Sequence, residues 1–141
     1  MNADNVFITT LPPEIQRSRE AVVRHLAQVA GQGSDASVAA ICASALEREA
    51  AESTYIGRGL AVPHARVAGL ADGVVCMASC PAGVDWNGET ATFIALTAVP
   101  ENRPELHLQL LSALARYFSA HKGETPINTA ELASVLRALF R

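Results

Sequence analysis

The chain has 141 residues, half of them hydrophobic by type, and a formal net charge of −3. That length suits a single domain over 1–141 with a substantial core, and the composition excludes disordered and fibrous classes. A near-neutral balance argues against a nucleic-acid partner, and no apolar run is long enough to insert in a membrane.

Met1–Asn5 is polar and lacks the charged-then-apolar layout of a secretory leader, so a cytoplasmic location is expected. Val6-Phe7-Ile8 reads as a short strand closed by Pro12-Pro13. Glu14–Ala30 follows as an amphipathic helix, with Ile15, Val22, Leu26 and Val29 on one face and Gly31 and Gly33 as its stop. Ser34 and Asp35 are candidate caps for a second helix reaching about Glu52 and carrying Val38, Ile41, Cys42 and Leu46. Leu60, Ala61 and Val62 form a brief apolar run after Gly57-Arg58-Gly59, and Pro63 cannot donate to a ladder. A strand is therefore expected to end at His64. After a turn at Gly69–Gly73, Val74–Ser79 is a strand, and Pro81–Gly88 a loop or hairpin. Phe93–Val99 is apolar at nearly every position and is expected to be central. Pro104 suits the first turn of a third helix running to about Ala120. Asn128 and Glu131 form a reciprocal cap for a last helix with Leu132, Val135, Leu136, Leu139 and Phe140 at helical spacing. The expected fold is α/β (α+β): a small mixed sheet of about five strands between helices, in three layers.

His64, delivered where the chain leaves a strand, is by type a nucleophile, a metal ligand or a proton shuttle. His107 falls near the start of the third helix, on the rim where the central strand ends, and ligand sites gather at such rims. Arg48 lies near the end of the second helix, and its guanidinium fork matches phosphate oxygens. Two histidines and an arginine without a matching acid form a poor metal site and a good anion site. His25 reads as a mid-helix surface residue, and His121 as a helix C-terminal histidine facing the dipole. Cys42, Cys76 and Cys80 are odd in number and irregularly spaced, so no disulfide framework is expected. Cys76 and Cys80 share a strand face and read as buried, inert thiols rather than zinc ligands. Nucleotide-cradling glycine loops and a nucleophilic-serine elbow are missing from the sequence. A phosphate site of this kind suggests a phosphoryl group that arrives on another protein and is held covalently by an imidazole.

Arg48-Glu49, followed by Ser53-Thr54-Tyr55-Ile56-Gly57-Arg58-Gly59-Leu60-Ala61-Val62-Pro63-His64-Ala65-Arg66, resembles the signature of a known family. These are the enzyme IIA domains of the bacterial phosphoenolpyruvate-dependent sugar phosphotransferase system. The class is the fructose–mannitol one, which includes the nitrogen-regulatory IIA proteins. Pro100–Leu111, with Glu105-Leu106-His107-Leu108, is similar to that family's other histidine motif, and the likeness runs from about Val6 to the C-terminus. The resemblance implies that His64 takes a phosphoryl group on Nε2 from HPr or its nitrogen-branch counterpart and passes it to a IIB domain. Nδ1 would be held by a backbone group. It implies that His107 hydrogen-bonds the phosphate, that Arg48 balances its charge, and that Ser53, Thr54 and Arg66 rim the site. No cofactor and no metal are implied. Arg58 and Arg66 make the rim basic, which either favours an acidic partner face or is simply solvated. The compact Pro81–Thr92 stretch is a candidate partner-selection surface. A regulatory protein, switched between partners by phosphorylation of His64 without sugar transport, is the alternative implied by the nitrogen-regulatory members.

Overall fold

In the computed structural model, which describes residues 5–32, 37–121 and 127–139, the chain opens with β1 (Val6–Ile8) and a 3₁₀ turn (Ile15–Arg17). It continues through α1 (Arg19–Gln32), α2 (Val38–Ala51), β2 (Tyr55–Gly57), β3 (Leu60–Ala61), β4 (His64–Val67) and β5 (Val74–Trp86). β6 (Glu89–Pro100), α3 (Pro104–Ala120) and α4 (Thr129–Leu139) complete the order. β6 is the organising strand. It pairs antiparallel with β5 and parallel with β3 and β4; β1 extends the sheet beyond β5, and β2 beyond β3. Every residue from Phe93 to Pro100 is buried, because helices cover both faces of the sheet.

Alternation along β6 divides the core into two layers. Ile94, Leu96 and Ala98 pack with Val22, Leu26 and Ile41 beneath α1 and α2. Phe93, Ala95 and Val99 pack with Leu106, Leu110, Leu114, Leu132 and Leu136 beneath α3 and α4. Each of the larger side chains here, Val, Leu, Ile or Phe, stabilises the fold by about 1.5–3 kcal/mol when removed from water. Cys76 and Cys80 lie in the first layer, and burial pushes the Cys76 thiol up to about 12. Both are on the sheet face opposite His64, whose strand neighbour Ala65 points into that same first layer.

Several boundaries differ from the sequence reading. The first helix does not run unbroken from Glu14: the 3₁₀ turn ends at extended Ser18, whose Oγ accepts from Ala21 N and starts α1 afresh. Gly31 lies inside α1, while Gly33, Ser34 and Asp35 fall outside the described residues. The cap of α2 is Ser37, which accepts from Ala40 N at 3.2 Å. His25 is not a simple surface residue but is half-buried, with its Nε2 shielded, because it flanks the Val22–Leu26 stripe. Asn128 Oδ1 caps Glu131 N at 3.0 Å, yet the Glu131 carboxylate turns to Tyr117 Oη and His121 Nε2 instead of returning the bond. Val135 is exposed, lying off the Leu132–Leu136 stripe, and Phe140 is outside the described residues. His121 does end α3, with Nδ1 2.8 Å from the Tyr117 carbonyl.

Six strands stand where about five were expected, mainly because Pro63 divides one line of chain. Leu60 and Ala61 pair with Phe93 and Ile94, and His64 resumes the ladder opposite Thr97 in the same register. Pro63 offers no N–H, but its carbonyl accepts from Thr97 N at 2.9 Å and keeps the register across the gap. His64 therefore opens a strand rather than closing one. β5 also runs on to Trp86, with a register shift between Ser79 and Val84. Asn87 (φ 56°) and Gly88 (φ 92°) then make a two-residue hairpin turn of the kind Asn-Gly favours. Among the described residues no helix is long and apolar enough to cross a membrane.

Candidate functional site

A cleft of about 370 Å³ opens between the end of α2, β2 and the start of α3. Arg48, Ser53, Thr54, Ile56, Val62, His64, His107 and Leu111 are among its walls. The fold thus brings together five of the residues singled out in the sequence: Arg48, Ser53, Thr54, His64 and His107. Arg66 is not part of the cleft wall. It follows His64 by two in β4, so it shares that strand face and acts on both imidazoles through its charge.

His64 is half-buried, and its Nδ1 lies 3.3 Å from the carbonyl of Val62, two residues back. That contact favours the tautomer with the proton on Nδ1, which leaves Nε2 with a free lone pair. The His107 ring stacks on it, centroids 4.2 Å apart and planes 29° from parallel. Pro104 at the first position of α3 sets the helix start that carries His107 to this point. Burial lowers the pKa of His64, and the Arg48 and Arg66 charges add to this. The Val62 hydrogen bond and Glu49 oppose it. His107 is lowered to about 4, first by burial, then by His64, Arg66 and Arg48. Both rings are therefore neutral near pH 7, as a nucleophile and a neutral hydrogen-bond donor must be.

The run Gly57-Arg58-Gly59, between β2 and β3, has an unusual backbone shape, all three residues having positive φ. Gly59 is the position that must be glycine: a β-carbon there would overlap Thr92 Oγ1. Its carbonyl accepts from both Thr92 N (2.8 Å) and Phe93 N (3.0 Å), and its N–H donates to Tyr55 Oη at 2.9 Å. Arg58 sits exposed at the tip.

Glu49, which the sequence offers only as part of the Arg48-Glu49 motif and without a role, supports the site. It is only 3% exposed, and its carboxylate accepts from Thr54 N (2.9 Å), Thr54 Oγ1 and Trp86 Nε1 (3.0 Å). Arg19 Nη1 approaches it at 3.6 Å. This one side chain ties α1, α2, β5 and the Ser53–Thr54 loop together. It also occupies the Thr54 hydroxyl, leaving Ser53 as the freer hydroxyl of the two. The signal was present: Ile41, Ala45 and Glu49 recur at every fourth position, so the acid continues the buried stripe of α2. Arg48, one residue earlier, is turned about 100° away and is exposed.

The chain resembles known proteins along nearly its full length. A family model described as "Phosphoenolpyruvate-dependent sugar phosphotransferase system, EIIA 2" matches residues 3–140. The mannitol-specific phosphotransferase enzyme IIA component of Staphylococcus aureus (strain Mu50) is 30% identical over 143 aligned positions, spanning 97% of this chain and 92% of that protein. The nitrogen regulatory protein IIA-Ntr of Neisseria meningitidis superposes with a TM-score of 0.69 at 25% identity, covering 99% and 94% of the two chains. Enzyme IIA mannitol of Escherichia coli, solved in complex with phosphorylated IIB mannitol, shares the fold with a TM-score of 0.63 at 20% identity over 95% and 96%. The chain belongs to the EIIA 2 family of the phosphoenolpyruvate-dependent sugar phosphotransferase system.

Proposed function

We propose that this chain is a single IIA domain that carries a phosphoryl group reversibly on His64. The observation that carries this reading is the stacked imidazole pair, with His64 Nδ1 committed to the Val62 carbonyl and Nε2 left as the reactive nitrogen. The neutral Nε2 lone pair attacks phosphorus on a phosphohistidine donor of the HPr type. The new Nε2–P bond forms as the donor's N–P bond breaks, and that electron pair returns to the donor imidazole. The ring gains positive character as it takes the phosphoryl group, and the Val62 carbonyl stabilises it through Nδ1–H. Arg48 neutralises the phosphoryl oxygens, His107 donates a hydrogen bond to one of them, and Ser53 lies within the same wall. Thr54 places the loop through Glu49, and Arg66 contributes field. Exposed Ile56 in the cleft wall offers apolar surface for a partner that presses water out.

The onward acceptor in this reading is a IIB domain, by analogy with the Escherichia coli complex. Incubation with phosphoenolpyruvate, enzyme I and HPr should give an acid-labile phosphoprotein, and a fructose- or mannitol-class IIB should then remove the label. A stable label that no IIB discharges favours a second reading, supported by the likeness to the Neisseria meningitidis nitrogen regulatory protein. There, phosphorylation of His64 adds negative charge at the cleft mouth and changes which protein docks. Capture experiments with the phosphorylated and unphosphorylated forms separate the two: a partner retained by one form alone, with no IIB turnover, identifies the switch.

A further inference from the structure

Two buried polar atoms in the layer between the sheet and α3 have no hydrogen-bond partner among the described residues: Thr97 Oγ1 and His107 Nδ1. Thr97 is 0% exposed. It lies between Ala95 and Val99, both in the α3–α4 core, so its side chain enters that same layer. In register it sits directly opposite His64, whose ring carries His107 stacked upon it. Buried polar groups in native proteins are almost always paired, and leaving both of these unpaired would be costly.

We propose that the Thr97 hydroxyl is a positioning residue for His107: it donates to a bridging water that in turn donates to Nδ1, and so fixes the proton of His107 on Nε2. The chemistry of a neutral imidazole links the two ends of the ring. One nitrogen carries the proton and the other accepts, and the bond made by one decides the role of the other. His64 Nδ1 already faces the Val62 carbonyl, so the buried nitrogen awaiting a donor is that of His107. A threonine hydroxyl can donate one proton and has no competing acceptor here. With Nδ1 held as acceptor, His107 must present an N–H at Nε2. That is the form able to bond a phosphoryl oxygen, and this part of the inference rests on the phosphocarrier reading.

Long-range ¹H–¹⁵N correlation spectra of the histidine rings at pH 7.5 test the link without any phosphoryl donor. The wild type should show His107 with the proton on Nε2; a proton on Nδ1 overturns the proposal. Thr97→Val, which keeps the shape and removes the hydroxyl, should shift His107 toward the Nδ1–H tautomer and lower Tm. Thr97→Ser should restore the wild-type ring spectrum. If Thr97→Val does not fold, Thr97→Ala takes its place. A valine variant with an unchanged His107 spectrum, or a higher Tm from deleting a hydroxyl that bonded nothing, refutes the role. Phosphoryl transfer through His64 should fall about fivefold to tenfold in Thr97→Val, the effect of one neutral hydrogen bond. Failure of the wild type to accept phosphate would instead count against the phosphocarrier reading, and the ring spectra would still decide the role of Thr97.

Discussion

Replacing Glu49 separates the network it anchors from mere filling of space. Glu49→Ala leaves Thr54 N and Trp86 Nε1 without an acceptor, in a place where Trp86 is fully buried and Glu49 was 3% exposed. An unsatisfied buried donor costs about 1–3 kcal/mol. The Thr54 hydroxyl can rotate elsewhere, so two donors set the scale, and the expected loss is about 2–6 kcal/mol. Against a typical total of about 5–15 kcal/mol this is a large fraction. Glu49→Gln should behave differently. Its amide oxygen can occupy the Oε2 position and keep both donors, while its NH₂ can donate to Thr54 Oγ1 once that hydroxyl turns. Only the charge assistance and the Arg19 attraction are lost, about 1 kcal/mol. Urea unfolding followed by the fluorescence of Trp86, the single tryptophan, measures both variants. An alanine variant within 1 kcal/mol of wild type, or a glutamine variant as damaged as alanine, refutes the assignment of the network.

Arg48→Ala should lower the rate of phosphoryl acceptance about 10²–10³-fold with little change in stability, since the side chain is exposed in the free protein; a change below threefold in single-turnover kinetics removes Arg48 from the chemistry. The two imidazoles also set a pH dependence. Their native pKa values lie below the unfolded value, His107 at about 4, so the unfolded chain binds more protons as pH falls. Their contribution to stability is complete above about pH 6.5 and is lost progressively toward about pH 4. His107→Gln should flatten the fall in Tm between pH 7 and 5, and an unaltered slope contradicts the depressed value. Gly59→Ala should destabilise by about 1–3 kcal/mol in urea, because φ of +78° and the Thr92 side chain both oppose a β-carbon.

Much of this architecture was legible because it follows from burial on particular faces. β6 sits between two helical layers, so a run from Phe93 to Val99 that is apolar at every position but Thr97 marked it as central. Pro104 marked the start of α3 because a proline loses nothing at a first helical position. The break at Ser18 was hidden, since local hydrophobic spacing passes through it and only the serine cap betrays a second start. Pro63 signalled the end of a ladder, yet a carbonyl bond to Thr97 carries the register past it, and that depends on a strand distant in sequence. The cleft was readable as residue types, Arg48, His64 and His107, but the stacking of the two rings required the crossing of β4 and α3. Thr97 could not be singled out at all: a threonine within a β-branched, apolar strand is ordinary until its register partner is known to be His64.

The most direct measurement is the site of phosphorylation. After reaction with phosphoenolpyruvate, enzyme I and HPr, proteolysis and mass spectrometry under alkaline conditions should place one phosphoryl group on His64. ³¹P–¹H correlation should assign it to Nε2, and His64→Ala should carry no label. Phosphate on another residue, or full labelling of His64→Ala, would contradict the account.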